Sequence, residues 1–198
     1  IDGDKGILRY RGYDIAELAE KSTFLESAYL LLYGNLPSSS ALQEFRQRVS
    51  DYCELPPEVL TAINSMPSNA HPMAVLAAGL QALGGAYPEY STNDRTKDLE
   101  AFDQVAALII STVRTIAAAH HRNSQDKELS KPDTSRSYCG NFLSMMFGGD
   151  DGSDEIPEPV QKALDQIFLL HADHEQNCST SICRMIAWGG ANPFASLA

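Results

Sequence analysis

Apolar positions recur every three to four residues over most of the chain, the period of a helix that buries one side. Leu25, Ala28, Tyr29 and Leu32 share one face of a segment that Thr23 and Glu26 open as a capping box and that Gly34 closes. Asp14 with Glu17 makes a similar start, and Ser40 with Gln43 a third, followed by Leu42, Phe45 and Val49 on the inner face. Pro56-Pro57 suits the first turn of a short helix through Leu60 and Ile63. A long helix is predicted from about Thr96 to about Ala119, with Phe102, Val105, Leu108, Ile109 and Ile116 as its stripe. Tyr138 to Phe147 reads as a short helix. The last clear one begins at Pro159 and carries Val160, Leu164, Ile167, Phe168 and His171 at helical spacing. Ser124–Ser137 and Gly148–Glu158 are polar or glycine-rich and read as loops. Extended chain is expected only near the start, where Ile1-Asp2-Gly3-Asp4-Lys5-Gly6 reads as a turn joining two short pieces, the second being Ile7–Tyr10. The fold class is therefore all-α, with short strands at most near residues 1–11.

Ala74–Leu83 breaks the pattern. It opens at His71-Pro72-Met73, closes at Gly84-Gly85, and has few polar residues on any face. A helix apolar all round is covered by other helices or by another subunit, so this one is a candidate dimer interface. The end, Trp188–Ala198, stops in an apolar run, which predicts a packing partner outside the chain. Ile1 is not an initiator methionine, so the chain is expected to begin within a longer one or after processing.

Composition narrows the function classes. The 198 residues suffice for one domain with a sizeable core. Asp and Glu number 26 against 15 Lys and Arg, for a net charge of −11. That balance disfavours nucleic acid and anionic membrane surfaces, both of which need a basic face. An acidic small-molecule substrate stays open, because a local cationic pocket can sit in an acidic protein. No uninterrupted apolar stretch reaches the ~20 residues of a membrane span, and no signal peptide is visible. Cys53, Cys139, Cys178 and Cys183 show no CxxC spacing, so a zinc or redox site is not expected. They read as reduced, buried small hydrophobes of a cytoplasmic protein.

The densest chemistry is His171-Ala172-Asp173-His174-Glu175-Gln176-Asn177, at the end of the last amphipathic helix. His171 and His174 are three apart, and Asn177 would extend their face if the helix continued. Two imidazoles and an amide can each donate a hydrogen bond to a carboxylate or keto acid, and Asp173 and Glu175 could raise the imidazole pKa. The same spacing also suits histidines that merely complement a helix C-terminus. Metal ligation would need a third ligand that the sequence does not offer. His120 and His121 read as exposed helix-end residues, and His71 as a helix-start residue.

Phe168-Leu169-Leu170-His171-Ala172-Asp173-His174-Glu175-Gln176-Asn177-Cys178-Ser179-Thr180-Ser181 resembles the HADHEQNxSTS segment of bacterial-type citrate synthases. Four more stretches resemble that family in the same order: Ile1-Asp2-Gly3 through Leu8-Arg9-Tyr10-Arg11-Gly12-Tyr13, His71-Pro72-Met73, Tyr138-Cys139-Gly140-Asn141-Phe142, and Gly190-Ala191-Asn192-Pro193-Phe194. One HADH would be a weak signal; five ordered matches are a strong one.

The resemblance implies an acyltransferase that condenses oxaloacetate with acetyl-CoA to citrate and CoA in the tricarboxylic acid cycle. It implies a multihelical fold, of which residues 1–198 are part of the large domain, and a homodimer or assembly of dimers. His174 matches the family histidine that holds oxaloacetate; Asn177 is a weaker substrate contact, and His171 supports the site from behind. The family's enol-stabilising histidine lies in a Gly-Pro-x-His-Gly-Gly segment and its carbonyl-polarising histidine in a Gly-His-Arg segment. Neither is among these residues, so the catalytic residues are expected beyond residue 198, and Asp173 is not promoted to the base. No metal or cofactor is implied, acetyl-CoA being a co-substrate. Residues 148–153 are acidic and lack the cysteine of NADH-sensitive members, so an NADH site is not expected, although His71 and Met73 match one edge of it. A 2-methylcitrate synthase using propionyl-CoA shares the oxaloacetate segment and is the first alternative. A non-catalytic helical oligomerisation module is the second.

Overall fold

The computed structural model describes residues 3–92, 94–148, 155–173 and 177–198. Among them the chain is helical almost throughout, as expected. The only paired strands are β1 (Arg9–Tyr10) and β2 (Tyr13–Asp14), antiparallel with Tyr10 opposite Tyr13. Their turn is Arg11-Gly12, at φ 50° and 97°. Two successive positive φ values define the hairpin turn that matches strand twist. The turn predicted in the opening six residues, seen here at residues 3–6, therefore precedes the hairpin rather than making it.

Asp14 caps α1 (Ile15–Lys21) by accepting from Ala16 N, and Glu17 pairs with Lys21 at 3.1 Å rather than closing a box. The capping box at Thr23 and Glu26 forms in full at α2 (Phe24–Tyr33), and Gly34 ends it at φ 89°. The next cap is Ser38, not Ser40, and α3 runs Ser39–Asp51. α4 is Pro57–Asn64.

α5 (Pro72–Ala86) starts on His71, whose Nδ1 accepts from Met73 N at 3.2 Å. It passes through Gly84-Gly85 instead of stopping there. The reason is close approach: a Cβ on Gly79 would lie 2.9 Å from Ile116 Cγ2, and one on Gly84 would lie 3.0 Å from Phe194 Cβ. Those glycines let two neighbouring helices press against α5, and Val75, Leu80 and Leu83 are buried with them. The all-apolar helix is thus covered by helices of its own chain on one side, while Ala74, Gln81 and Gly85 face outward.

The predicted long helix is two. α6 (Arg95–Glu100) ends at Ala101 (φ −88°, ψ 0°), and α7 (Phe102–Asn123) follows. No glycine or proline marks the break. Phe102, placed on the core stripe from sequence, is 40% exposed, whereas Val105, Leu108 and Ile116 are fully buried or nearly so. α7 is the hub. It meets α4, α5 and the terminal helix α11 (Pro193–Leu197) in one core, and α2 and α3 in a second. By length and composition alone it could also cross a membrane, which uninterrupted apolar runs did not suggest. Its place among these helices, with Ser111, Thr112 and Thr115 fully buried, is that of a core helix. His120, expected to be exposed, is buried on its last turn.

α8 (Tyr138–Phe147) coincides with its prediction and is capped by Ser137. α9 (Glu158–Leu170) packs on α1 and α2, and Tyr10, Leu18, Leu30 and Leu169 form the third core beneath it. α10 (Cys178–Trp188) packs chiefly on α11 and buries none of its residues. Consequently Cys178 is exposed and Cys183 half-buried, and only Cys53 and Cys139 are the buried thiols expected of all four. The terminal apolar run does find a partner within the chain, because Phe194 is 1% exposed.

Candidate functional site

The HADHEQN residues join two helix ends. α9 stops at Leu170 and His171 is its C-cap, with its backbone N–H directed to Ile167 O and Leu169 O. The His171 ring folds back on the same helix, Nδ1 lying 2.8 Å from Ile167 O. A carbonyl only accepts, so Nδ1 carries the proton in this contact. A histidine here also complements the negative end of the α9 dipole. His174 lies outside the described residues.

Asn177 does not extend the His171 face, because it begins the next helix. It is the N-cap of α10, with Oδ1 accepting from Thr180 N at 2.9 Å. Asparagine is among the best N-caps, and that local preference ended one helix and began another. Its amide NH2 stays available as a donor. The first turn of α10 presents backbone N–H groups and a positive dipole end, which favour a nearby carboxylate.

The end of α9 and Asp173 are held by a residue that sequence reasoning passed over. Tyr10 is 1% exposed, on β1. Its hydroxyl reaches Leu169 O at 3.0 Å and Leu170 O at 3.2 Å, and accepts from Asp173 N at 3.2 Å. One phenol thus satisfies the end of α9 and pins the first residues after it. Burial raises the Tyr10 pKa, so it stays a neutral donor. The only hint in the sequence was its place inside Leu8-Arg9-Tyr10-Arg11-Gly12-Tyr13. Tyr10→Phe is expected to cost about 1–3 kcal/mol, the price of leaving buried carbonyl and amide groups unpaired. Urea unfolding measures it, with faster amide exchange at Asp173 as the local sign; unchanged exchange there would remove Tyr10 from this role.

The family profile described as citrate synthase, C-terminal domain, matches residues 1–198. The chain belongs to the citrate synthase family. Similar solved structures are citrate synthases. That of Pyrobaculum aerophilum is 33% identical with a TM-score of 0.86, over 98% of this chain and 48% of that one. That of Thermotoga maritima MSB8 is 35% identical with a TM-score of 0.80, over 97% and 47%. The Thermoplasma acidophilum enzyme, in a ternary complex with carboxymethyl coenzyme A and oxaloacetate, is 26% identical with a TM-score of 0.88, over 99% and 49%. This chain spans about half the length of each of these citrate synthases.

Proposed function

We propose that this chain supplies the oxaloacetate-holding part of an enzyme that condenses oxaloacetate with acetyl-CoA to citrate and CoA. The observation that carries the reading is the junction of α9 and α10. It joins the HADHEQN residues to a helix N-terminus suited to a carboxylate, within a chain of this family. In this reading His174 donates to oxaloacetate, the Asn177 NH2 adds a weaker contact, and His171 supports them from the α9 cap. A carboxylate base elsewhere takes a proton from the acetyl methyl group, and the resulting enol carbon attacks the oxaloacetate carbonyl. Hydrolysis of the thioester then releases CoA. This is acid–base and electrostatic chemistry that needs no further cofactor. Residues 1–198 act as part of the large helical domain of a cytoplasmic enzyme, the base and the enol-stabilising histidine lying in segments absent from them. Ile182, Met185, Ile186 and Trp188 are 40–93% exposed on α10. An apolar patch of that kind marks an interface, and we assign its cover to the rest of the enzyme and a second copy of it.

The test is CoA release from acetyl-CoA or propionyl-CoA with oxaloacetate, run on the full-length protein and on residues 1–198 alone. The full-length protein is expected to form citrate and to prefer acetyl-CoA. The 198 residues are expected to show no turnover, since loss of general acid–base catalysis alone costs about 10²–10⁴-fold. Preference for propionyl-CoA would make the enzyme a 2-methylcitrate synthase. A stable full-length oligomer inactive with both thioesters would make it an oligomerisation module. Full-rate turnover by the 198 residues would overturn the placement of the missing groups.

A further inference from the structure

α7 carries a cation in its middle. Arg114 is 5% exposed and sits among the fully buried Ser111, Thr112 and Thr115. Its guanidinium lies over the Tyr138 ring, 4.3 Å from the centroid, and Nη1 donates to Tyr138 O at 2.9 Å. Its Nε has no partner. No carboxylate pairs with it among the described residues; its charge is felt by Tyr138, Cys53 and Cys139, and burial lowers its pKa. A buried charge left without a counter-charge is destabilising, and proteins pair such charges or bring an ion to them.

The space beside Arg114 has the chemistry of such an ion's site. Arg114 lines a cleft of about 360 Å³ between α2, α3, α7 and the start of α8, together with Arg46 from α3 and Arg136 from the segment before α8. Three arginines lining one cleft stand out in a chain with a net charge of −11. Thr23, Ser50 and Thr134 also line it. The N-terminus of α8 opens onto it at Ser137 and Tyr138. Asn141 accepts from Asp133 N through Oδ1, which leaves its NH2 to donate. Asp165 lines the cleft, but its oxygens take Phe24 N at 2.9 Å and the Cys139 thiol at 3.7 Å. Burial raises its pKa. Asp133 is held by Ser135 and pairs with Arg136 at 3.0 Å, and Arg46 feels the Asp165 carboxylate, so the buried Arg114 is the cation with no carboxylate partner among the described residues.

We propose that this cleft binds a small multivalent oxyanion, a phosphate group or a polycarboxylate, with Arg114 as its buried counter-charge and Arg46 and Arg136 as its grip. Guanidinium forks suit both oxyanion types. The volume exceeds that of a lone phosphate and falls in the range of small-metabolite pockets. Occupancy would tie α2, α3, α7 and α8 together and so couple ligand to fold stability.

The experiment uses the full-length protein, titrated with inorganic phosphate, pyrophosphate or succinate in calorimetry and thermal unfolding, against sodium chloride at matched ionic strength. At least one of the anions is expected to bind and to raise Tm with concentration, while chloride does not. Binding to phosphate and pyrophosphate but not succinate assigns a phosphate-bearing ligand; the converse assigns a polycarboxylate. Arg46→Ala removes an exposed head at the rim and is expected to weaken binding about tenfold or more, the usual effect of losing a hydrogen bond to a charged group. Arg114→Gln is expected to abolish it, and its circular dichroism checks that it folds. The proposal is overturned if wild-type protein binds none of the three anions at 10 mM-scale concentrations (on the order of the weakest millimolar sites). It is also overturned if Arg46→Ala binds them as the wild type does. Occupation of Arg114 by a carboxylate from elsewhere in the full-length protein would appear as the first of these results.

Discussion

Replacing Phe194 by alanine is expected to cost about 3–5 kcal/mol of stability, the usual range for removing a buried aromatic side chain. Phe194 is 1% exposed and belongs to the core built by α4, α5 and α7. Its ring lies against the bare backbone of α5, where a Cβ on Gly84 would come within 3.0–3.2 Å of it. The site cannot collapse easily, because Asn192 holds the start of α11 by accepting from Ala195 N and reaches Ser91 Oγ at 3.0 Å. With a domain's total stability at about 5–15 kcal/mol, the loss is a large fraction of the whole. Urea denaturation should show a lower midpoint with little change in slope. A second substitution makes the geometry testable. Gly84→Ala alone crowds the ring, whereas in the Phe194→Ala background it fills part of the hole and gains about 1 kcal/mol of helix propensity. The two changes should therefore be non-additive, the double variant being more stable than the sum of the singles. A loss below about 1 kcal/mol, or strict additivity, would refute the packing described.

His174→Ala in the full-length enzyme is expected to raise the oxaloacetate KM by about 10–100-fold while leaving the fold and the acetyl-CoA dependence in place. A hydrogen bond to a charged group contributes about 1.5–3 kcal/mol, which corresponds to that range. Tyr10→Phe should shift the same constant in the same direction by less, because it loosens the segment without touching substrate. Asn177→Ala should weaken α10 through loss of its cap by about 1 kcal/mol, and its effect on oxaloacetate separates capping from contact. If the oxaloacetate dependence of His174→Ala is unchanged, His174 is not at the site.

Helix existence was legible because it rests on short-range chemistry. The capping box at Thr23 and Glu26, the Pro57 start, the His71 start and the Tyr138–Phe147 helix all appear as read. Each is decided by residues within one or two turns. The α9 stripe was also legible as a helix. Its outer positions Val160 and Ile167 remain about half exposed, since periodicity says which side is apolar and not what covers it. The site's composition was visible in one stretch of seven residues, and its shape was not. Helical spacing placed His171 and Asn177 on one face, while the structure ends one helix at His171 and starts another at Asn177.

What the sequence by itself determined is the all-α class, the position of most helices and the family. Capping, periodicity and five ordered motifs are local properties that need no partner. What only the tertiary structure decided are contacts between residues far apart in the chain. Gly84 looked like a helix stop until Phe194, 110 positions away, was seen pressed against it. Tyr10 looked like any strand tyrosine until its hydroxyl met Leu169 O across 159 residues. Arg114 was one arginine among fifteen cations until the fold buried it beside the same cleft as Arg46 and Arg136, with no carboxylate paired to it among the described residues. Burial, close approach and unpaired charge are properties of the space between elements, and the chain defines that space only once every helix is in place.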